Sequence, residues 1–530
     1  MNNGGGRLGD NRVMTAIVLT TLNARYAHAS LGLRYLRANL GELHADSAIR
    51  EFVIGQKTEE MVERLLADRP RLIGVGVYIW NVEECTRLVA QLKAVAPEIL
   101  IVLGGPEVSY ETGEQRICDL ADFVITGWGD VSFATLARQL LRSEPPATKV
   151  IAGVQPPLAA IALPYREFTD EDVRQRHLYV EASRGCPFKC EFCLSALDKT
   201  AWPFGLDSFL AELETLYQRG ARTFKFVDRT FNLKVDTSLA ILDFFLGKLA
   251  QAPDDPVFAH FELIPDHLPE KLKEAIARFP DGTLQFEIGI QTFDVDVQAR
   301  VSRRQKNDVA SANILWLREH STAHLHVDLI AGLPGEDMAS FAKGFNRLVQ
   351  LAPHEIQFGI LKRLRGAPIA RHTLEHGLKF NPDPPYNILA TKVIDFAGMQ
   401  RLSRFSRYWD IVANSGRFSR TLPFLLADDA FGNFLAFSDW LWQTTGKTHA
   451  IAQERMVVFL RDYLCGREGI SEALISATLV ADYRAAGGRT HFDFEAPGGP
   501  RPLPKPRKKV AATPERQSRH LQGEAWPPGV

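Results

Sequence analysis

Apolar runs alternate with amphipathic stretches from residue 15 to about residue 145 of the chain. The runs are apolar at consecutive positions, which is typical of parallel strands that are buried on both faces of a sheet. The stretches between them repeat apolar positions with the helical period. This alternation predicts β–α units around a doubly wound, Rossmann-like sheet. The predicted strands are residues 15–20, 49–54, 72–78, 99–103 and 123–126.

A second alternating series follows between residues 173 and 370. Its strand candidates are again separated by helical stretches, and they are too few for a closed eight-stranded barrel. We therefore expect an open, partial (β/α)6 barrel. In both architectures ligands bind at the carboxyl ends of the strands. The predicted strands of this series are residues 178–182, 223–227, 257–263, 284–290, 325–330 and 356–361.

The remaining segments differ from these two series in composition. Polar residues open the chain, prolines interrupt the join between the two series, and helical, aromatic-rich stretches follow the second series. A proline-rich tail with a basic run at residues 505–509 ends the chain, and such a composition favours disorder. The predicted organisation is a disordered N-terminus (1–14), a Rossmann-like domain (15–145), a linker (146–172), a partial barrel (173–370), a helical domain (371–496) and a disordered tail (497–530).

Charge and cysteine usage narrow the class of protein. The 530 residues include 62 basic and 63 acidic residues, for a net charge of −1. This balance demands neither nucleic acid nor an anionic membrane as partner, and we expect neither. The N-terminus lacks an apolar signal segment, and no apolar run approaches the ~20 residues of a membrane helix. Six cysteines, three of them crowded together, do not form a disulfide framework, so we expect a cytoplasmic protein.

The crowded cysteines are Cys186, Cys190 and Cys193, in C-x3-C-x2-C spacing directly after the first predicted barrel strand. Thiolates are the usual ligands of iron–sulfur clusters, and a tight loop can wrap three of them around a 4Fe–4S cubane. Three ligands leave one iron open. An open iron can chelate the amino and carboxylate groups of S-adenosylmethionine (SAM), and the reduced cluster can then cleave the sulfonium.

A structural zinc loop is the alternative interpretation of these cysteines. Zinc in structural sites takes four closed ligands, commonly from paired motifs. No cysteine lies between Cys193 and Cys465, although His177 and His260 could supply a fourth ligand. The absence of a second pair favours the cluster.

The C-x3-C-x-aromatic-C motif after a first strand resembles the radical SAM superfamily. Residues 226–232 are similar to the end of the second barrel strand in those enzymes, residues 287–292 to the fourth and residues 327–336 to the fifth. The resemblance covers about residues 175–370. It implies a 4Fe–4S cluster that cleaves SAM to a 5′-deoxyadenosyl radical. It also implies a one-electron reductant such as flavodoxin or ferredoxin as partner.

The same resemblance implies positions for SAM. Phe192 is expected near the adenine, and Asp228, Glu262 and Gln291 near the ribose, amino or methionine end. Each of the last three has an alternative interpretation as a polar residue that faces water at the end of a strand.

A Rossmann-like sheet ahead of such a barrel resembles the cobalamin-binding subgroup of this superfamily. Glycines follow the fourth and fifth strands, where small residues let the backbone approach a large flat ligand. The resemblance implies that they contact the corrin or its nucleotide tail. In the alternative interpretation the domain keeps the fold without its cofactor. The glycines are Gly104, Gly105, Gly127 and Gly129.

No D-x-H-x-x-G signature marks a lower cobalt ligand. His28, in the loop after the first strand, is the candidate, and a plain loop or helix-capping residue is its alternative. The second glycine motif departs from the Gly-Glu-Gly-Glu of the subgroup at Trp128 and Asp130.

Residues 386–420 resemble the C-terminal domain of unknown function found in one branch of these proteins. The expected reaction is cobalamin-dependent methyl transfer to an unactivated centre of an unknown substrate. A radical rearrangement or ring contraction is the first alternative, and a non-catalytic iron–sulfur or cobalamin carrier or sensor is the second. Methylthiolation needs a second cluster, for which only Cys85 and Cys118 lie in the N-terminal region.

Overall fold

The computed structural model describes residues 15–198, 200–495 and 514–522, which divide into two compact units. The first unit comprises the described residues up to 179 together with Ala211–Gly220. The second comprises Val180–Leu210 and the described residues from 221 onward. The predicted disorder of residues 1–14 lies outside the described residues.

In the described part of the first unit, six strands form one parallel sheet in the order β2-β1-β3-β4-β5-β6. The doubly wound fold predicted from the sequence is therefore confirmed. The strands are β1 (Ile17–Asn23), β2 (Ser47–Val53), β3 (Leu72–Gly76), β4 (Leu100–Gly104), β5 (Phe123–Thr126) and β6 (Val150–Ala152). The helices are α1 (Leu31–Ala38), α2 (Thr58–Ala67), α3 (Val82–Val95), α4 (Arg116–Leu120), α5 (Asp130–Leu141) and α6 (Asp170–Gln175).

Apolar side chains cover both faces of this first sheet. On one face Val18 and Ile73 pack in a cluster with Leu88 of α3, and on the other Leu19 packs in a cluster with Phe133 of α5. All seven residues of β1 are buried. Burial on both faces leaves the carboxyl ends of the strands as the place where this sheet can meet a ligand.

The segment expected as a linker, residues 146–172, contributes structure of its own. It supplies β6, which pairs in parallel with β5 so that Val150 lies opposite Val124. It also contains the start of α6. Thr169 caps α6 and forms a reciprocal capping box with Asp172. A strand of three residues is too short to show a periodic pattern, and for that reason the sequence did not indicate it.

The sheet of the second unit has the order β14-β13-β12-β11-β10-β7, and β10 to β14 pair in parallel. The division between the two units falls within β7. This is the predicted open barrel. Its strands are β7 (Leu178–Val180), β10 (Thr223–Phe226), β11 (Phe258–Leu263), β12 (Leu284–Gln291), β13 (His324–Ala331) and β14 (Glu355–Ile360), with the short β8 (Ser183–Arg184), β9 (Trp202–Pro203), β15 (Lys379–Phe380) and β16 (Ile388–Ala390).

Helices cover the outer side of the barrel and form the region after it. The crossover helices are α7 (Leu206–Gln218), of which the residues from Ala211 onward belong to the first unit, α8 (Val235–Gln251), α9 (Glu270–Ile276), α10 (Val295–Arg300), α11 (Asn307–His320) and α12 (Met338–Gln350). The C-terminal region contains α13 (Phe396–Val412), α14 (Leu422–Leu426), α15 (Ala430–Thr445), α16 (Gln453–Cys465) and α17 (Glu472–Ala485), which confirms that it is helical.

Aromatic rings join the C-terminal helices to the barrel. Phe345 of α12 meets Trp409 of α13 edge-on at 4.9 Å, and Trp409 meets Phe434 of α15 at 5.0 Å. These rings are buried, so they belong to the core of the second unit rather than to a ligand site.

The expected disorder of the tail is wrong for one stretch. Glu515–Gln522 forms a helix, α18, which lies in the second unit. Arg516 binds Glu355 at 2.9 Å, and His520 donates to the Asn414 carbonyl at 3.0 Å. The helix has a polar sequence without an apolar stripe, so hydrophobic patterning did not indicate it. The basic run at 505–509 lies outside the described residues.

Within the described ranges, no helix combines the length and the apolar composition that a membrane crossing requires.

Candidate active site

The three clustered cysteines lie in a loop closed at its base by a small hairpin. β8 pairs antiparallel with β9, so the two ends of the loop lie next to each other. Gly185 begins the loop with a φ of +93°, and a Cβ there would lie 2.5 Å from the Thr200 carbonyl oxygen. Only glycine fits this turn, which directs the following cysteine into the barrel.

The loop covers a cavity of about 230 Å³ at the carboxyl ends of the barrel strands. Cys186, Cys190 and Cys193 line it, and its other walls come from β11, β12 and β13 and from residues 229–230, 264–266 and 303–305. The structure therefore brings the cysteine motif and the barrel motifs to one place, as the carboxyl-end rule predicts.

Three of the four residues expected near SAM line this cavity. Phe192, Glu262 and Gln291 face it, whereas Asp228 does not line it. Asp228 accepts hydrogen bonds from the Ala182 amide at 3.0 Å and from the Ser183 hydroxyl at 2.6 Å. Its contacts therefore fasten the strand that precedes the loop. Burial raises the pKa of Asp228 to about 7.

Two features aim Gln291 and Glu262 at the cavity. Gln291 has a φ of +70°, and the pairing of β12 with β13 shifts register between Gly289 and Gln291. A bulge of this kind re-aims a side chain, and a non-glycine residue at positive φ is a strained conformation that is common at functional sites. Glu262 accepts a hydrogen bond from Arg229 at 2.6 Å, and burial raises the pKa of Glu262 to about 7.

Arg303, which sequence reasoning missed, contacts the cysteine loop directly. Its Nη1 lies 3.5 Å from the sulfur of Cys190, and its other amino group donates to the Gly289 carbonyl. Burial raises the pKa of the Cys190 thiol, and the guanidinium acts in the opposite direction, which favours the thiolate. No motif marks Arg303, because its contact with Cys190 joins residues 113 positions apart.

Glu287 and Asp328 also line the cavity, although the sequence did not single them out within their motifs. Glu287 Oε2 lies 3.5 Å from Nε2 of His260, whose pKa is lowered by burial. Burial raises the pKa of Asp328 well above its usual range, and the neighbouring Glu287 carboxylate adds to that rise. The cavity floor is thus an array of ionisable groups.

The donor set fits an iron–sulfur cluster, because three cysteines line one cavity. In the part of the chain that the structure describes, no three histidine, cysteine, aspartate or glutamate side chains converge as ligands of one metal ion. A cubane takes its thiolates at separate irons, so thiols dispersed around a cavity are the arrangement that it needs. Burial raises the pKa of Cys186 to about 11, so uptake of the cluster must release the thiol protons.

The glycines expected to contact cobalamin follow β4 and β5 at the carboxyl edge of the first sheet. A Cβ on Gly104 would have its nearest neighbour at 3.9 Å, and one on Gly127 would meet nothing within 4 Å. On Gly129 a Cβ would approach the flexible Leu36 side chain to 3.3 Å. Gly104 and Gly127 therefore leave open space for a ligand, whereas a side chain at Gly129 would require Leu36 to move.

Gly105 differs, because the fold itself requires it. Its φ is +110°, and a Cβ there would lie 2.4 Å from the Val77 carbonyl oxygen. Exposed aromatic side chains accompany the glycines: Trp80 after β3 and Tyr110 after β4. An open edge with aromatic rings suits the flat, largely apolar face of a corrin.

His28 is half-buried in the loop after β1, at the same edge of the first sheet. Its Nδ1 lies 2.7 Å from the hydroxyl of Tyr179. Glu51 holds this loop by accepting from the Ser30 amide at 2.6 Å, and Arg34 binds Glu51 at 2.9 Å. The histidine is therefore fixed in place by contacts within the first unit.

Comparison with known proteins assigns domains to three parts of the chain. Residues 17–137 match a B12 binding domain, residues 180–348 the radical SAM superfamily, and residues 374–526 a protein of unknown function (DUF4080). The chain therefore combines a B12 binding domain with a radical SAM domain. The cofactors that these domains imply are a 4Fe–4S cluster, SAM and cobalamin, and the cysteine cavity and the glycine edge have residues that fit them.

The cobalamin-dependent radical SAM methyltransferase TokK of Streptomyces tokunonensis is 24% identical over 340 residues. That match covers 56% of this chain and 47% of TokK, and the chain spans about half the length of the curated relatives it matches.

Two solved structures have the same fold as this chain. The radical SAM methyltransferase TsrM of Kitasatospora setae, solved with tryptophan and a SAM analogue, has a TM-score of 0.57 at 15% identity, over 70% of this chain and 79% of TsrM. The cobalamin-dependent radical SAM enzyme OxsB, solved with aqua-cobalamin and SAM, has a TM-score of 0.60 at 11% identity, over 88% of this chain and 78% of OxsB.

Proposed function

We propose that this enzyme transfers a methyl group to an unactivated centre of its substrate, using SAM and cobalamin. When bound, the cluster supplies the electron that cleaves SAM to methionine and a 5′-deoxyadenosyl radical, and cobalamin supplies the methyl group. The observation that carries the proposal is the convergence of Cys186, Cys190 and Cys193 on one cavity with the ends of three barrel strands. A B12 binding domain in the same chain supports the methyl-transfer step.

The residues of the cavity have separate tasks in this proposal. The three thiolates hold the cluster, and Arg303 offsets their negative charge beside Cys190. Phe192 packs on the adenine, and Gln291 and Glu262 bind the ribose or the methionine end. Arg229 orients Glu262 through their hydrogen bond. Burial of these groups excludes water from a radical reaction, which protects it from side reactions.

At the edge of the first sheet, Gly104, Gly127 and Gly129 admit the corrin, and Gly105 shapes the turn beside it. His28 would be the protein ligand of bound cobalamin, with its ring held by Tyr179. A cytoplasmic location, with flavodoxin or ferredoxin as electron donor, completes the proposal.

Methyl transfer and its alternatives give different products from SAM. Anaerobically reconstituted enzyme with cobalamin, SAM and dithionite should form both 5′-deoxyadenosine and S-adenosylhomocysteine, because SAM serves as radical source and as methyl source. A radical rearrangement gives 5′-deoxyadenosine alone, and a carrier or sensor gives neither. A Cys186→Ala variant is the control, and it should form no 5′-deoxyadenosine. Absence of S-adenosylhomocysteine from the unaltered enzyme would overturn the methyl-transfer proposal.

A further inference from the structure

Glu191 lies between the second and third cysteines of the motif, and its side chain is buried. Its carboxylate accepts a hydrogen bond from the Ser302 hydroxyl at 2.6 Å. The Arg371 guanidinium donates to the same oxygen, and Nε2 of His372 lies 2.8 Å from the other oxygen. A buried carboxylate is costly unless it is paired, and here both oxygens are paired.

The main chain of Glu191 is fastened to the same two segments. Its amide donates to the Val301 carbonyl at 3.0 Å, and its carbonyl accepts from the Ile369 amide at 2.9 Å. Side chain and main chain thus both bind residues 301–302 and residues 369–372. Buried polar networks that are fully satisfied are rigid, because each member restricts the others.

The segment at 301–303 also contacts a cysteine of the motif. Ser302 has a φ of +55°, a conformation that a non-glycine residue rarely adopts. It places the Ser302 hydroxyl on Glu191 and the next residue, Arg303, beside the Cys190 sulfur. This turn therefore contacts the cysteine loop at two consecutive residues, Cys190 and Glu191.

We propose that Glu191 is a positioning residue, which locks the turn from Cys190 to Cys193 against residues 301–302 and 369–372 and so slows the loss of iron from the cluster. The inference rests on the proposed function, because it requires a cluster on these cysteines. It also assigns a role to Arg371 and His372, just before the region that matches DUF4080.

The test is the rate at which a chelator removes iron from the reconstituted full chain. Glu191→Gln keeps the shape of the side chain and removes the charge that binds Arg371 and His372. We expect it to lose iron about tenfold to 100-fold faster than the unaltered protein, the range typical of residues that hold metal ligands in place. The visible absorption of the cluster reports the rate.

Glu355→Gln is the matched control. Glu355 is also buried, and it binds an arginine and a histidine, Arg516 at 2.9 Å and His324 at 3.0 Å. It does not line the cavity. Loss of a buried ion pair lowers fold stability in both variants, so only a positioning role makes iron loss faster in Glu191→Gln alone. Equal rates in the two variants would overturn the inference.

Arg371→Leu keeps the inference testable if Glu191→Gln does not fold. The Arg371 side chain is 63% exposed, so its removal leaves the core intact. We expect faster iron loss, and we expect the double variant to be no faster than Glu191→Gln, because both changes break one interaction. An unaltered rate in Arg371→Leu would overturn the inference. If the unaltered protein takes up no cluster, the proposed function itself fails, which is a distinguishable result.

Discussion

The two parallel sheets differ in which of their surfaces is chemically active. In the first sheet β1 is buried at every position, and apolar clusters cover both faces. In the second sheet β12 alternates: Phe286 and Ile288 pack outward in the core, and Glu287 and Gln291 face the inside of the barrel. The first sheet can bind a ligand only at the carboxyl ends of its strands, whereas the second sheet carries polar groups along its inner face.

This difference has an energetic cost in the second sheet. Nδ1 of His260 and one oxygen of Asp328 are buried, and among the described residues neither has a hydrogen-bond partner. Leaving such groups unpaired destabilises a fold by about 1–3 kcal/mol each. A protein retains this arrangement where the polar groups serve a ligand, so the comparison identifies the inner face of the barrel as the functional surface of the second unit.

The largest expected effect is a complete loss of the cluster in Cys190→Ala, because the thiolate is a direct ligand. Cobalamin uptake should be unchanged, since the glycine edge belongs to the first unit. Iron analysis and cobalamin titration of the same sample measure both. Cys465→Ser, on α16, is the control and should keep a full cluster. A normal cluster in Cys190→Ala would contradict the assignment.

The sequence predicted the core elements of both sheets and missed elements with little apolar patterning. β5 has the predicted bounds, Phe123–Thr126, since this strand is apolar at every position but its last. β6 is too short for a period, and α18 is held by polar contacts of Arg516 and His520. A pattern of apolar positions carries no information on either.

The candidate site was predictable where its residues are close in sequence. The spacing of the three cysteines indicated the cluster without any structure. Arg303 and the partners of Glu191 escaped prediction, because contacts such as Arg371 with Glu191 join residues 180 positions apart. Only the folded chain brings such pairs together.

A paired substitution measures the difference between the two sheets. Leu19→Ala in the first sheet should lower the free energy of unfolding by about 2–5 kcal/mol, because Leu19 is fully buried. His260→Leu in the barrel should cost less, since at similar volume it removes the buried Nδ1, which has no partner among the described residues, together with the 3.5 Å contact of Nε2 with Glu287. Urea denaturation of the cofactor-free protein gives both values. An equal loss in both variants would mean that the inner face of the barrel is structural.

Acid should destabilise the second unit through its buried histidines. Burial lowers the pKa of His520 to about 4, so the folded state keeps this ring neutral beside His324 and His354. The unfolded chain binds the proton from about pH 6.5 downward. The free energy of unfolding therefore decreases by about 3 kcal/mol at most as the pH falls from about 6.5 to about 4.

His520→Gln should reduce this loss, as measured by urea denaturation at pH 7 and pH 5. The exposed His449 provides the control, because His449→Gln should leave the pH dependence unchanged. If the free energy of unfolding of His520→Gln falls between pH 7 and pH 5 by as much as that of the unaltered protein, α18 is excluded as a source of acid sensitivity.

The smallest expected effect separates two adjacent glycines at the edge of the first sheet. Gly104→Leu should fold, because its Cβ meets nothing closer than 3.9 Å, and the longer side chain then occupies the space over the edge. We expect cobalamin affinity to fall by about fivefold to 150-fold, the equivalent of 1–3 kcal/mol of overpacking. Gly105→Leu should instead destabilise the first unit as a whole, because its Cβ would overlap the Val77 backbone at a positive φ.

Titration with hydroxocobalamin, with urea denaturation of the same samples, distinguishes these two effects. Gly247→Leu on α8 is the control, since a Cβ there meets nothing within 4 Å and the position lies in the second unit. If Gly104→Leu binds cobalamin with unaltered affinity, the corrin does not lie over the end of β4. The assignment of cobalamin binding to the edge of the first sheet would then fail. The assignment of the cluster to the inner face of the barrel would stand, because the cysteine cavity is formed within the second unit.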